Sequence, residues 1–325
     1  MTTIYLVRHA EAEGNAYRRI HGQYNSKITP NGLRQIEALR ARFADVPVDA
    51  CYASDLFRTC KTAQAVYLSK NLPLHPDRRF REVGLGRWED VPFGYLERFE
   101  KADMDAFNRT PQSWHVDGSE TWTQYTGRFL QALDEIAARH DGKTVAIFTH
   151  ACILRGVQMS LFAGQELPFC ENTAVSRLCW RDGVVSADFL NDASHLTPDI
   201  STSARQERLK QGAHERADYS LWFTGQEGAF TAMRREEAVG QLCLSREGAG
   251  VVRIENLELI ESCRGRRFGQ QLLGQAVSVS RQQGAQKLAA AVPQSNPGAA
   301  HFFLENGFAP EGALLTMELG VPQLF

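Results

Sequence analysis

The amino-acid sequence predicts two folding units in succession: a three-layer α/β domain with a mostly parallel sheet, then a smaller α+β domain. Three observations carry this reading. The chain has 325 residues, more than one ordinary core accommodates. Through 1–196, short apolar β-branched segments alternate with amphipathic helical ones, the pattern of a parallel sheet covered on both faces. Beyond Leu196 the stretch 197–227 is polar and charged, a partly helical linker, and 228–325 is rich in strand-like segments.

Each segment has its own signal. Thr3–Val7 is short, apolar and β-branched, hence a buried strand. Over Pro30–Phe43 the helical spacing places Leu33, Ile36, Leu39 and Phe43 on one face. Ala50–Ala53 reads as a strand, after which Ser54-Asp55 caps a helix from about Leu56 to Leu68. From Thr121 to Arg139, Trp122, Tyr125, Phe129, Leu133 and Ile136 form a helical face, with Thr121 and Gln124 as a capping box and Gly142 beyond the end. Thr144–Phe148 is a buried-type strand. In the second unit, strands are expected at 228–234, 239–245, 251–260, 287–292 and 314–319, and helices at 267–283 and 297–305.

Composition narrows the class. Net charge is -2, with 23 Lys/Arg against 25 Asp/Glu in 1–200 and 13 against 13 afterwards. That lacks the basic excess of a nucleic-acid or anionic-membrane partner. No apolar run approaches the roughly 18 residues that span a bilayer. Met1–Arg8 has no secretory layout, and the seven cysteines are odd in number and without C-x-x-C pairs. Neither a disulfide framework nor a zinc site is expected, and a reducing cytoplasm is the expected location.

Four segments place polar residues where an open parallel sheet binds ligands, beyond the carboxyl ends of its strands. Arg8-His9 follows the first strand, Thr149-His150 follows Thr144–Phe148, and Arg58 lies in the first turn after Ala50–Ala53. Glu82 sits in the loop-like stretch Phe80–Trp88. Two histidines and two arginines at one sheet edge suit a phosphate group. Arg8 and Arg58 fork onto its oxygens, and a protonated His150 adds a third positive group, so a metal is dispensable. A neutral His9 has a ring nitrogen free to attack phosphorus, and Glu82 is the candidate proton donor to the leaving oxygen.

These segments resemble the histidine phosphatase superfamily, the phosphoglycerate mutase-like fold. The resemblance rests on Leu6–Asn15, Tyr52–Thr59, Glu82 with Gly86-Arg87-Trp88-Glu89, Thr149-His150 and Asn191–Leu196, in family order over about 1–196. It implies that His9 is phosphorylated, that Arg8, Arg58 and His150 bind phosphate, and that Glu82 is the proton donor. Asn15 and Gln23 would also contact the phosphate. Ala10 and Ala151 replace usual glycines, Asp90 stands where the loop usually has Gly, and Asp117–Glu120 only loosely follows Gly-Glu-Ser. A mutase is the alternative, but between Trp88 and Gly118 only Arg98, Lys101 and Arg109 are basic. The resemblance is closer to small broad-specificity phosphatases, including those acting on α-ribazole phosphate.

The second unit contains Leu257–Leu273, read as a strand, a Gly-containing turn and a helix start with Arg264, Arg266 and Arg267 around it. Backbone N–H groups at such a helix start attract a pyrophosphate. Together with Asn296–Phe308, this stretch resembles the GNAT N-acetyltransferases over about 228–319. The resemblance implies acetyl-CoA as co-substrate, an amine acceptor, Leu257 and Leu259 flanking the acyl group, and Asn296 on the CoA arm. Arg264, Gly265, Arg266, Arg267, Phe268, Gly269 and Gln270 would cradle the pyrophosphate. Glu255 or Glu258 is the candidate base. Arg267 replaces a usual Gly, Phe303 stands where many members carry a Tyr acid, and the usual two acceptor-site helices have at most one counterpart in Ser201–Tyr219. A non-catalytic CoA-binding or structural domain is therefore the alternative.

Overall fold

A computed structural model describes residues 1–181, 183–210, 220–248 and 250–322. The chain runs β1 (Thr2–Arg8), α1 (Glu13–Tyr17), α2 (Pro30–Arg42), β2 (Ala50–Ala53), α3 (Phe57–Tyr67), β3 (Leu74–Pro76), α4 (Phe93–Phe99), α5 (Lys101–Arg109) and α6 (Trp122–Arg139). It continues with β4 (Thr144–Thr149), α7 (Ala151–Leu161), β5 (Val175–Arg181), β6 (Val184–Asp192) and α8 (Thr202–Lys210). The rest is β7 (Trp222–Gln226), β8 (Ala229–Arg234), β9 (Glu237–Glu247), β10 (Val251–Leu259), α9 (Phe268–Gln282), β11 (Lys287–Ala290), α10 (Pro297–Glu305), β12 (Ala309–Glu311) and β13 (Leu314–Glu318).

The first sheet has the order β3-β2-β4-β1-β5-β6. Its first four strands are parallel, while β5 and β6 add an antiparallel edge. Alternate residues of β1 feed the two faces. Ile4 and Leu6 join Phe129, Leu133 and Ile136 of α6 and Leu154 of α7, whereas Val7 joins Ile36, Leu39 and Phe43 on the other side. Both layers therefore come from apolar alternation, as the fold class requires. The Gln124 side chain accepts from Thr121 N at 2.8 Å at the start of α6, the expected capping box.

Two helical details differ from the sequence reading. Leu33 is 47% exposed, while Gln35 is fully buried and bonded to Glu11 N, Ile200 O and Thr202 Oγ1. The segment entering α8 covers that side of α2, so its buried face is rotated towards polar positions. Ser54 makes only a long 3.4 Å contact with Leu56 N, because its hydroxyl is turned to His150.

The second sheet has the order β12-β13-β11-β10-β9-β8-β7, with only β10 and β11 parallel. The linker expected through 227 ends earlier, since Trp222–Gln226 pairs with β8 across a turn of Glu227 and Gly228. Gly225 at φ +107° interrupts the alternation that would have marked this strand in the sequence. The helical part of the linker is α8, and 211–219 lies outside the described residues. The helix α9 covers one face of this sheet and also packs on α1, where Tyr17 joins Leu273, Ala276 and Val277 in one core.

Candidate active site

Register brings the two histidines together. Because β1 and β4 are adjacent and parallel with Arg8 opposite Thr149, the residues just past each strand end are neighbours. The His9 and His150 ring centroids lie 5.2 Å apart at 60°. The third parallel strand end, β2, contributes Ser54, whose hydroxyl is 2.9 Å from His150 Nε2. Arg58 follows in the first turn of α3.

Hydrogen bonding defines the imidazoles. His9 Nδ1 lies 2.7 Å from Ala10 O, and a carbonyl only accepts, so Nδ1 carries the proton and Nε2 holds the lone pair. The Ala10 peptide is itself held, since its N–H donates to Thr62 Oγ1 at 2.9 Å. Asn172 Nδ2 donates to His9 O at 3.0 Å. His150 Nδ1 accepts from Arg58 Nε at 3.2 Å, which leaves Nε2–H to donate to Ser54. Burial, and then Arg58, hold both rings well below the usual histidine range. This corrects the expectation of a protonated His150: a ring buried beside a fixed guanidinium stays neutral in the free protein.

The cations are equally fixed. Arg58 is buried, with NH1 on Tyr24 O at 2.9 Å and NH2 on Gly22 O at 2.7 Å. Burial lowers its pKa to about 10, which still leaves it charged at neutral pH. Arg8 is buried and gives NH1 to Cys170 O at 2.6 Å, while its buried Nε has no hydrogen-bond partner. An orphan donor in a buried cationic site is a place for an anion.

Glu82 meets the start of α7. Its carboxylate accepts from Ile153 N at 2.8 Å, Val83 N at 3.0 Å and Cys152 N at 3.1 Å. Gln23 lies alongside, with Nε2 3.2 Å from Glu82 O. Asn15 is one step further out, its Oδ1 accepting from Ala12 N at 3.0 Å and from Asn172 Nδ2 at 3.4 Å. Every residue expected at this site lies within it or against it. Cys152, beside Glu82, has its thiol pushed well up by burial and then by that carboxylate, so it is no nucleophile at neutral pH.

Sequence reasoning missed the support. Arg128 of α6 donates to Arg79 O, Arg81 O and Glu82 O at 2.8 Å each, and pairs with both oxygens of Glu120. Glu120 in turn accepts from Gly84 N at 2.7 Å. This clamp fixes the loop that carries Glu82. Nothing in the sequence marks Arg128, which sits on the polar side of an amphipathic helix. Ser54 had a signal, since it follows its strand as His9 and His150 follow theirs.

The second region is arranged differently. Pairing of β10 with β11 stops at Ile254–Ala290, while β10 continues to Leu259, so Leu257 and Leu259 lie where the two strands no longer pair. Gly265 at φ +69° and Arg267 at φ +59° turn the chain into α9, whose leading N–H groups are without helical acceptors. Arg264 is exposed, with Nε donating to Leu259 O at 3.0 Å, and Arg266 lies over the Phe268 ring. Phe268 is buried, so it and Gly269 offer backbone alone. Gln270 Nε2 donates to Asn306 Oδ1 at 2.8 Å, and Asn296 Oδ1 accepts from Ala299 N, capping α10. Glu255 is bonded to Ser245, and Glu258 stands exposed. Phe303 is buried at 4.9 Å from Phe308.

The geometry defines a class, and comparison with known proteins agrees with it. The family model of the histidine phosphatase superfamily (branch 1) matches residues 4–193, more than half of the chain, and the chain belongs to that superfamily. The acetyltransferase (GNAT) family model matches residues 195–308, so the C-terminal part is a GNAT domain. Among individual relatives, the metal-independent phosphoserine phosphatase of Arabidopsis thaliana is 31% identical over 205 residues, covering 61% of this chain and 84% of its own. The Proteus mirabilis protein named as a phosphoglycerate mutase is 28% identical, covering 61% of this chain and 96% of its own. The solved structure of Bacillus stearothermophilus YhfR has a TM-score of 0.57 and 28% identity, covering 60% of this chain and 99% of its own.

Proposed function

We propose that the N-terminal domain, about 1–196, is a metal-independent phosphomonoester phosphatase acting through a phosphohistidine at His9, in a reducing cytoplasm. One observation carries the reading: His9 Nε2 is unprotonated and buried beside a second imidazole, in the positive field of Arg58 and Arg8. In the first step Nε2 attacks phosphorus, the phosphorus–oxygen ester bond breaks, and Glu82 protonates the leaving oxygen. Arg8, Arg58 and the Nε2–H of His150 receive the equatorial oxygens, with Asn15 and Gln23 at the rim. In the second step Glu82 takes a proton from water, which attacks the phosphohistidine and frees His9. The substrate class is a small phosphomonoester, and the name of the Arabidopsis relative makes phosphoserine the first to try.

The test is release of inorganic phosphate from p-nitrophenyl phosphate and phosphoserine, with rapid-quench mass analysis of the His9 peptide. A gain of one phosphoryl group on that peptide supports the mechanism, and turnover without it refutes it. Isomerised phosphoglycerate with little free phosphate would instead favour the mutase reading.

For the C-terminal domain, the stretch of β10 beyond its pairing with β11 and the turn into α9 suit acetyl-CoA. Arg264, Gly265, Arg266, Arg267, Phe268, Gly269 and Gln270 would hold its pyrophosphate, the Leu257–Leu259 backbone its acyl arm, and Asn296 would flank the CoA arm. Bound, that group supplies an activated acyl carbon. A specific observation favours binding without transfer. Only Glu227 and Gly228 separate β7 from β8, and α8 is committed to the other domain through Thr202 on Glu11 and Ser203 on Glu171. Calorimetry with acetyl-CoA tests this, and absence of heat at high micromolar ligand leaves a structural role.

A further inference from the structure

We infer that the C-terminal domain is a positioning element of the phosphatase site, acting through Arg281 of α9 on the segment that orients Arg58. The inference rests on the phosphatase reading above and extends it to residues outside the first domain.

The segment 13–24 is held from both sides. Towards the active site, the carbonyls of Gly22 and Tyr24 receive the two terminal nitrogens of Arg58, at 2.7 and 2.9 Å. These two acceptors, with His150 Nδ1, set the plane in which the guanidinium lies. Towards the other domain, Arg281 forks onto both Glu13 oxygens, at 2.7 and 2.9 Å. Glu13 Oε2 also accepts from Lys27 N at 3.1 Å, so the carboxylate that Arg281 holds ties together the two ends of the loop whose Gly22 and Tyr24 carbonyls hold Arg58.

A second clasp braces the same segment. Buried Arg19 gives Nε to Asp90 Oδ1 at 2.8 Å, NH1 to Gln275 at 2.9 Å and NH2 to Ser278 at 2.9 Å, the last two on α9. Ser278 Oγ donates to Asp90 Oδ2 at 2.6 Å. Asp90 has φ +60°, a conformation that favours glycine. Its carboxylate, joining Arg19 to α9, gives a reason for an aspartate there. At the centre, Gly274 of α9 meets α1 so closely that a Cβ would lie 2.4 Å from Tyr17 Cβ. Buried charges shared between domains fix one geometry, because a partner removed leaves an uncompensated charge.

The test uses the full chain with Arg281→Met, Arg281→Lys and Arg58→Lys, singly and combined. Arg281→Met is expected to lower kcat/KM for p-nitrophenyl phosphate by about tenfold, a part of the roughly 10²-fold that a full 1 Å misplacement can cost, and Arg281→Lys to recover part of it. In the Arg58→Lys background the same change is expected to cost less than about twofold, since the group it positions is already altered. An equal factor in both backgrounds, or wild-type kcat/KM in Arg281→Met, overturns the inference. If Arg281→Met does not fold, Gly274→Ala supplies the perturbation as a steric wedge with Arg281 intact, and the same non-additivity is expected. If the wild type releases no phosphate, the phosphatase reading fails separately. The coupling is then read from the Kd of inorganic phosphate, which Arg281→Met should weaken about tenfold; an unchanged Kd overturns it.

Discussion

Both halves of this protein carry a candidate site where parallel strands stop pairing, yet only one surrounds it. Around His9, most of the polar atoms named are met by another element: α3 supplies Arg58, α6 clamps the Glu82 loop, and Thr62 and Asn172 hold the backbone of Ala10 and His9, while Arg8 Nε is left for an anion. Around the turn into α9, one wall is made of backbone, exposed Arg264 and half-buried Arg266 and Arg267, and β7 leads straight into β8. The face of α9 that would be free in an isolated domain is packed on α1 instead. Preorganisation, more than the presence of motif residues, separates a reaction site from a docking site.

The largest test of this contrast is His9→Ala, which should lower kcat on p-nitrophenyl phosphate by about 10⁴-fold or more with unchanged circular dichroism. Persisting activity would mean that the ordered half is not where the reaction occurs. Arg128→Met comes next. Releasing the Glu82 loop should cost about 10²-fold in kcat, measured by steady-state kinetics, although Arg128 touches no reacting atom.

Phe303→Tyr probes the other half. The added hydroxyl enters a buried aromatic contact without a partner, so denaturant titration should show a loss of about 1–2 kcal/mol. Acetyl transfer to amines should stay at the uncatalysed blank; transfer appearing in this variant would show that the acceptor wall was not what is missing.

A smaller effect concerns pH. Burial, then a nearby arginine, holds His9, His21 and His150 well below the usual histidine range, and the same causes bring His195 down to about 4. Below about pH 6.5 an unfolded histidine takes up a proton that these native rings refuse. The unfolded state then binds more protons, so stability is complete above that pH and is lost as pH falls through it. Denaturation midpoints between about pH 7.5 and 5.5 should fall with pH, and a flat profile would contradict the buried neutral rings. Least of all, EDTA should leave phosphatase rates unchanged, because Arg8 and Arg58 supply the charge a metal would.

Much of this was legible in the residues themselves. Alternation and strand-end polarity identified the first sheet and placed His9, His150, Arg58 and Glu82 at one edge. The antiparallel pair β5–β6 and the hairpin strand β7 escaped notice, since their residues alternate weakly and their pairing is settled by neighbours. Among the described residues the cysteines are free and no helix is long and apolar enough to cross a membrane. The clamp of Arg128 and the clasp of Arg19, Asp90 and Ser278 lay beyond reach, as each joins residues far apart in the chain.

What the amino-acid order determined alone was the inventory: which side chains follow which strands, and hence which charges can gather. Only the tertiary structure decided that His150 is neutral, that α8 belongs to the first domain's surface, and that Arg281 reaches the segment holding Arg58. The physical reason is that protonation and orientation depend on burial and on partners distant in sequence, whereas periodicity is local.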